Sequence, residues 1–210
     1  MPSSKPRRSP GPQERQRDPE RTRALILEAA AAEFGAHGYA GARISAIATR
    51  AGVNQQLISY YFDGKEGLYK AISQQWRERQ RELAPPELSL PEQMRNFALE
   101  AARNPAAARL LAWSGLEYAG AEADSERDAR TDMFAPAIER LRALQESGGL
   151  SAELDPAVLL VMLMAAAMAP TTLPQVIAGI DGGDPSSPVV IERFADQIAV
   201  LGRLLGLESA

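Results

Sequence analysis

The stretch ISAIATRAGVNQQLISYYF, residues 44–62, predicts two short helices joined by a tight turn. Ile44, Ile47 and the alanines that follow recur at the three-and-four spacing that places side chains on one helical face. Gly52 comes next, and glycine accepts the positive φ of a helix C-cap without a Cβ penalty. Asn54 is a favoured N-cap for the second helix. This arrangement is typical of a helix-turn-helix unit, whose second helix enters the major groove of DNA.

The outward face of the second predicted helix is neutral, whereas most solvated helix faces carry charges. Its polar positions are Gln55, Gln56, Ser59 and Tyr60. Amides and hydroxyls near a helix N-terminus can read base edges and hold phosphates. This segment alone also fits an ordinary helical hairpin with a neutral surface.

The flanking segments decide between these two interpretations. ILEAAAAEFGAHGYAG precedes the unit and DGKEGLYKAI follows it. Together, the run from Arg21 to Trp76 resembles the DNA-binding domain of the TetR family of transcriptional regulators. The resemblance implies an all-α fold of about nine helices, with an N-terminal three-helix DNA-binding domain and a C-terminal helical domain for ligand binding and dimerisation. It also implies three partners: a double-stranded DNA operator, a small-molecule effector and a second copy of the chain.

The same resemblance assigns DNA contacts residue by residue. Arg43 occupies a place where the family often has a capping Thr or Ser that touches phosphate, so it loses the cap and offers a charge instead. Ser45 is near the same helix start, and Lys65 lies where the family often places a phosphate-contacting lysine. The predicted DNA-binding set is Arg43, Ser45, Asn54, Gln55, Gln56, Ser59, Tyr60 and Lys65.

Composition excludes several other classes of protein. The chain has 210 residues, no cysteine and a single histidine, His37. It therefore offers no disulfide framework, thiolate metal site or cysteine nucleophile, and a lone histidine makes a poor metal site. No phosphate-binding glycine loop or nucleophile elbow is present, so we expect neither an enzyme nor a bound cofactor. The absence of cysteine and of a long apolar run fits a cytoplasmic protein.

The net charge of −4 is unevenly divided along the chain. Residues 1–76 hold 11 Lys and Arg against 7 Asp and Glu, a balance of +4. Residues 77–210 hold 12 against 20, a balance of −8. Phosphate binding depends on the local field rather than on the total charge, so the basic end suits DNA.

Four segments are predicted along the chain. Residues 1–17 form a Pro-, Ser- and Arg-rich tail that we expect to be disordered in isolation and that either follows DNA or only adds solubility. Residues 18–64 form the DNA-binding domain, with a first helix that Asp18 caps and that the glycines from Gly35 onwards end. Residues 65–83 form a connecting helix, with Asp63 as a cap before it, and residues 84–210 form the C-terminal domain.

The C-terminal part reads as helical from Pro91 onwards. The helix that starts at Asp155-Pro156 is apolar nearly all round through Met168, which predicts burial on every side. The last helix, from about Pro188, carries an apolar stripe. In the family the last two helices dimerise, although packing within one chain is the alternative. The predicted dimer contacts are Leu163, Val190, Phe194, Ile198, Leu201 and Leu205.

An effector pocket is predicted from aromatic and methionine side chains of the C-terminal domain. Methionine adapts its shape, and Trp and Tyr carry polar groups, so the mix suits an apolar or aromatic ligand, although each residue is more often plain core. The candidates are Phe97, Trp113, Tyr118, Met133, Phe134 and Met162. The function predicted is that of a regulator, most often a repressor in this family, which leaves a palindromic operator on effector binding. The alternative is a helical ligand-binding or scaffolding dimer without specific DNA binding.

Overall fold

A computed structural model describes the backbone of residues 12–208 and the side chains of residues 19–122, 124–180 and 182–208. The described chain is helical throughout, as predicted, with short connections and one 3₁₀ turn at Ala121–Ala123. The helices are α1 (Pro12–Gly41), α2 (Ile44–Ala51), α3 (Gln55–Phe62), α4 (Gly64–Leu83), α5 (Leu90–Arg103), α6 (Pro105–Leu116), α7 (Arg127–Glu146), α8 (Pro156–Thr172), α9 (Pro174–Asp181) and α10 (Pro188–Leu204). We call α1–α4 the head and α5–α10 the body.

The first helix begins earlier and ends later than expected. It starts at Pro12, so Asp18 lies inside the helix instead of capping it, and the helix includes residues 12–17 of the predicted tail. Proline at a first helical position needs no hydrogen-bond partner for its nitrogen, and the Gln, Glu and Arg residues after it favour helix. Residues 1–11 of the predicted tail lie outside the described residues. At its other end α1 continues past Gly35 and breaks at Gly38, where φ is 69° and ψ is 179°.

The helix-turn-helix unit has the predicted bounds and the predicted turn. Gly52 adopts the left-handed conformation, and Asn54 accepts a hydrogen bond from the backbone nitrogen of Gln56 at 2.9 Å. The next turn differs from the prediction. Asp63 makes no capping hydrogen bond with its side chain and instead has φ 57°, a left-handed residue that closes α3.

The head has a closed core that includes one residue of the body. Phe34 of α1, Ile47 of α2, Ile58 of α3 and Leu68 of α4 are completely buried against one another. Leu110 of α6 belongs to the same cluster. Burying a side chain of this size contributes about 1.5–3 kcal/mol, so α6 is attached to the head by core packing and not only by surface contact.

The body is helical from its first helix onwards, as predicted. Helix α6 ends at Leu116, and α7 begins at Arg127. The segment after Pro174 forms a separate helix, α9. Proline at the first position of α9 ends the preceding helix and starts a new one.

Helix α8 is apolar all round but is buried on only one side within the chain. Leu159 and Leu163 face the core, whereas Val158, Val161 and Met162 are exposed. The prediction that this helix is buried on every side is therefore wrong for a single chain. A contiguous exposed apolar face of this kind marks an interaction surface.

Within residues 12–208, none of the helices taken singly has the length and apolar character needed to cross a membrane. Helices α8 and α9 would meet that requirement only as a pair, and they are bent by 80° relative to each other.

Candidate DNA interface and effector cavity

The polar side of α3 is exposed along its length, as the sequence predicted. Gln55, Gln56, Ser59 and Tyr60 all face solvent, and Tyr60 is 80% exposed. Ile58 and Phe62 hold the opposite side of the helix in the head core. Arg23 of α1 fixes the far end of α3, because its guanidinium donates to the carbonyl of Tyr61 at 3.2 Å and lies 4.5 Å from the centre of the Phe62 ring.

The start of α2 combines an exposed arginine with a backbone hydrogen bond to another helix. Arg43 and Ser45 are exposed, and Arg43 makes no side-chain cap, as expected. Glu33 of α1 accepts a hydrogen bond from the backbone nitrogen of Arg43 at 3.2 Å, the bond that a glutamate makes in a capping box. Glu33 is only 6% exposed, and its charge lies at the positive end of the α2 dipole. The Arg43 side chain is therefore available to a phosphate.

Lys65, the other predicted phosphate contact, is partly engaged by the protein itself. Its ammonium donates to the carbonyl of Ala40 at 3.3 Å and lies 4.8 Å from the centre of the Tyr39 ring. The side chain is half-buried. Lys65 therefore ties the start of α4 to the end of α1 in addition to any charge it presents to DNA.

The end of α1 is also held from the body, by Glu117. The Glu117 carboxylate, just past the end of α6, accepts hydrogen bonds from the backbone nitrogens of Tyr39 and Ala40 at 3.0 and 3.1 Å. The two helices touch closely there. A Cβ at Gly38 would lie 2.4 Å from the Glu117 carboxylate, and a Cβ at Gly35 would lie 2.9 Å from the carbonyl oxygen of Ala106. We call the contacts of Glu117 with Tyr39 and Ala40 the Glu117 clasp.

The body contains an apolar cavity of about 520 Å³. Phe97, Met133 and Phe134, three of the six predicted pocket residues, line it. Other lining residues that the sequence reading did not select are Trp76, Met94, Met164 and Met168. Because Trp76 belongs to α4, a helix of the head forms part of the cavity wall.

The other three predicted pocket residues lie elsewhere. Trp113 packs against the turn at Gly38, where its ring would be 3.0 Å from an added Cβ. Tyr118 is exposed in a wider groove between head and body, and Met162 is 61% exposed on the outer face of α8. A helix with apolar residues on every side does not reveal which of them face inward, so Met162 was placed on the wrong face.

The predicted dimer stripe is mostly core of the single chain. Leu163 is 7% exposed, and Val190 and Ile198 are also buried. Phe194 and Leu205 are half-buried against the same cluster, and only Leu201 is exposed as expected. The exposed apolar residues form a different set on the outer faces of the last helices, which we call the outer apolar face: Val158, Val161, Met162, Val189, Leu201 and Leu204.

The wider groove between head and body, of about 930 Å³, is lined by charged residues that largely pair with one another. Arg130 pairs with Asp124 and Lys70 pairs with Glu66, while Glu126 pairs with Arg77, which lies outside the groove lining. At its inner wall, burial raises the pKa of Tyr69, and the negative charge of Glu126 raises it further. Tyr69 therefore stays a neutral hydroxyl at physiological pH and packs edge-on against Phe34 and Tyr39.

Comparison with known proteins agrees with this architecture. Residues 26–72 match the family profile described as bacterial regulatory proteins, tetR family, and residues 90–191 match the one described as tetracyclin repressor-like, C-terminal domain. The HTH-type transcriptional repressor SCO4008 of Streptomyces coelicolor is 35% identical over 190 residues, which cover 87% of this chain and 97% of that protein. The chain belongs to the TetR family of transcriptional regulators. It is thus a DNA-binding regulator and not an enzyme.

Two further relatives extend the comparison of this TetR family member. The HTH-type transcriptional repressor NicS of Pseudomonas putida is 32% identical over 137 residues, which cover 61% of this chain and 64% of that protein. The crystal structure of the transcriptional regulator SCO4942 from Streptomyces coelicolor superposes with a TM-score of 0.69 at 26% identity, over 89% of this chain and 99% of that one. The fold of both the head and the body is therefore that of the family.

Three residues that position the site were missed by the sequence analysis. Arg23, Glu33 and Glu117 each form a hydrogen bond with a backbone group that is distant in the sequence. The separations are 38, 10 and 78 residues. Only Glu33 left a detectable signal, because it lies on the apolar side of α1, between Ala30 and Phe34. A buried carboxylate needs a partner, and the uncapped start of α2 provides it.

Proposed function

We propose that this chain is a repressor that binds a palindromic operator as a homodimer and leaves it when a small apolar or aromatic molecule enters the cavity of the body. The observation that carries the proposal is the position of α6. Its residues Ala107, Ala108 and Leu111 line the cavity, while its Leu110 lies in the head core. One rigid helix therefore contacts both the candidate effector site and the DNA-binding unit.

The DNA contacts follow from chemistry and exposure. Gln55 and Gln56 lie in the first turn of α3, where side chains reach base edges in the major groove, and glutamine pairs with adenine through two hydrogen bonds. Ser59 and Tyr60 offer hydroxyls farther along the helix, and Asn54 is already engaged as the cap. Arg43 supplies a charge for the phosphate backbone, with Ser45 beside it and Lys65 on the next helix.

A homodimer is supported by the outer apolar face. Val161 and Met162 of α8 and Leu204 of α10 are more than half exposed, and leaving several such side chains in water costs free energy that a second copy would recover. A single recognition helix of eight residues makes few base contacts. A two-fold dimer doubles them and presents two such helices about 34–36 Å apart, one turn of DNA.

Coupling between the cavity and the head runs through two helices. Helix α4 lines the cavity with Trp76 and Gln80, and its start is tied to the end of α1 by Lys65. Helix α6 lines it from another side and ends at the Glu117 clasp. Because the contacts at Gly35 and Gly38 leave no space between α1 and α6, a shift of α6 moves α1 with it.

The proposed mechanism is a shift between two populations of the dimer. The effector favours a conformation whose recognition helices no longer match successive major grooves. It must bind that conformation more tightly, and a tenfold preference is worth about 1.4 kcal/mol. Reciprocity then requires the operator to weaken effector binding by the same factor.

Binding-site selection from genomic DNA with the purified full chain tests the proposal. We expect enrichment of a palindrome whose half-sites are centred about 10 base pairs apart or a multiple of that spacing. A Gln55→Ala, Tyr60→Ala double variant serves as the matched control, because both side chains are exposed and their removal leaves the head core intact. Enrichment of an unrepeated site, or equal enrichment by the double variant, would contradict the proposal.

A further inference from the structure

The wall of the apolar cavity contains one deeply buried neutral polar side chain, Gln93 of α5. It is 8% exposed, and it lies among methionine and aromatic side chains. Its amide nitrogen donates to the carbonyl oxygens of Pro85 and Leu88, both at 3.1 Å. Carbonyl oxygens only accept, so this pair of bonds fixes which end of the amide is the nitrogen and uses both of its hydrogens.

The oxygen of the same amide has no hydrogen-bond partner among the residues that the structure describes. Every fully enclosed side-chain nitrogen or oxygen in the described part of the protein has a hydrogen bond, so the Gln93 Oε1, which has none, keeps contact with open space. Gln93 lines the cavity, so the cavity is open space that its side chain borders. A largely buried side chain with a free acceptor thus forms part of the cavity wall.

The charged groups near Gln93 do not supply a donor to this oxygen. Arg140 donates instead to the carbonyl of Leu88 at 2.8 Å. The carboxylate of Glu100, also in the wall, accepts from Arg79 at 2.9 Å. Both therefore have partners of their own, and Gln93 Oε1 is the acceptor that remains among apolar neighbours.

From this geometry we propose that Gln93 selects the effector, which must carry an N–H or O–H donor on an otherwise apolar or aromatic body. The inference rests on the proposed effector-binding function and narrows its ligand class. A ligand without a donor would cover Oε1 and leave it without water or a partner, which costs free energy, whereas a ligand with a donor replaces the lost water bond. Sites built around a hydrogen bond reject the analogue that lacks it for this reason.

A matched pair of fluorescent probes tests the proposal on the full chain. N-phenyl-1-naphthylamine carries one N–H, and N-methyl-N-phenyl-1-naphthylamine has the same aromatic body without it. We expect the N–H probe to bind about tenfold more tightly than its methylated partner. The chain has two tryptophans, and Trp113 does not line the cavity, so a Trp113→Phe background leaves Trp76 as the reporter of cavity occupancy by its quenching.

Two substitutions at position 93 separate the acceptor from the structural role of the amide. Gln93→Leu loses both bonds and the acceptor, whereas Gln93→Glu loses at least one of the bonds to Pro85 and Leu88 and keeps an acceptor in the cavity wall. We expect the preference for the N–H probe to fall to about onefold in Gln93→Leu and to persist in Gln93→Glu. Asn96→Leu is the control for losing an amide bond on the same helix, because Asn96 donates to the carbonyl of Leu83 at 3.2 Å outside the cavity.

Each outcome separates this inference from the proposed function. Equal affinity for the two probes in the native chain, or an unchanged preference in Gln93→Leu, overturns the donor requirement and leaves the cavity as an effector site. Failure of both probes to bind overturns the donor requirement together with the effector-binding part of the proposed function. A preference that Gln93→Leu removes, and that Gln93→Glu and Asn96→Leu keep, supports the inference.

Discussion

The head and the body bury their helices in different ways. In the head, α2 and α3 each have one buried and one exposed side, and a single closed core lies between the helices. In the body, α8 is buried on one side, lines a cavity and exposes a second apolar side. Most apolar positions of the head therefore belong to its core, with Leu25 and Leu57 as exposed exceptions, whereas an apolar position of the body can belong to the core, the cavity wall or an exposed apolar face.

The strongest test of this difference is a charge on the outer apolar face. We expect Val161→Glu to convert a dimer to a monomer, because a desolvated carboxylate would lie between two apolar helices. Losing the second DNA contact should weaken operator binding about 1,000-fold, the middle of the range for linked sites. Sedimentation and gel-shift titration measure the two effects.

Leu116→Glu is the control for this charge. Leu116 is also highly exposed, but it is the last residue of α6 and belongs to neither α8 nor α10. A Val161→Glu protein that remains a dimer would show that the outer apolar face is not the contact between copies.

The next test breaks the junction between the two regions at Gly38. Its φ of 69° and ψ of 179° belong to a region essentially reserved for glycine, and a Cβ there would displace the Glu117 carboxylate from its two backbone partners. We expect Gly38→Ala to lower the free energy of unfolding by about 3 kcal/mol in urea titration. Gly52→Ala, with left-handed φ and ψ and no atom within 4 Å of the added Cβ, should cost only about 1 kcal/mol. Equal losses of stability in the two variants would mean that displacing the Glu117 carboxylate adds no cost beyond the backbone strain at the substituted glycine.

A third test stays within the head and separates base contacts from phosphate contacts. Gln55→Ala should lose about 1–3 kcal/mol of discrimination at particular base pairs and leave the salt dependence unchanged. Arg43→Ala should weaken binding to all sequences and reduce the slope of log K against log salt by about 1. Fluorescence anisotropy with operator and scrambled DNA at several salt concentrations distinguishes them. If both variants changed base discrimination and salt dependence in the same way, Gln55 and Arg43 would not have separate roles in base and phosphate contact.

The smallest effect tests a helix start in the body. Ser89 and Glu92 form a capping box at the start of α5, and hydrogen bonds from Ser89 hold the pKa of Glu92 below its usual value. Ser89→Ala should cost about 1 kcal/mol at neutral pH. Because a lowered carboxyl pKa stabilises the fold above the unfolded pKa, this difference should begin to shrink as the pH falls below the ordinary value of 4.5, where Glu92 of the unfolded chain binds a proton, and should be lost below the lower pKa of folded Glu92.

Ser187→Ala provides the reference for that pH dependence. Ser187 caps α10 through the backbone nitrogen of Val190, and no carboxylate takes part. Urea titration at pH 7 and pH 4 should therefore give the same loss at both values for Ser187→Ala. A parallel, pH-independent loss in Ser89→Ala would exclude the contribution of Glu92.

The sequence was sufficient where local chemistry determines the structure. Gly52 and Asn54 fix the turn by their own backbone conformation and side chain, so the bounds of α2 and α3 were predicted correctly. The sequence did not predict which residues are buried in a helix that is apolar on more than one side. Met162 and Leu163 are adjacent and both apolar, and only the packing of α8 against the rest of the body determines which one is buried.

The positioning residues were unpredictable for a different reason. Glu117 acts on backbone nitrogens 78 and 77 residues away, and no local pattern near position 117 refers to them. Cavity residues such as Met164 were missed because a void is a property of how several helices fail to fill space, which no single helix encodes. The sequence thus predicted the helix-turn-helix unit better than the cavity and the contacts that join the head to the body.

The way α2 begins has a consequence for how this surface can diversify. Ser, Thr, Asn and Asp are preferred at the position before the first turn of a helix, and their capping role limits what else that position can do. Here the Arg43 side chain makes no cap, and Glu33 accepts its hydrogen bond from the backbone of residue 43, so a longer, shorter or uncharged side chain can stand there without removing a hydrogen bond of the helix behind it. If Arg43 contacts phosphate as proposed, the strength of DNA binding can be adjusted at this one position while the helices that present α3 stay unchanged.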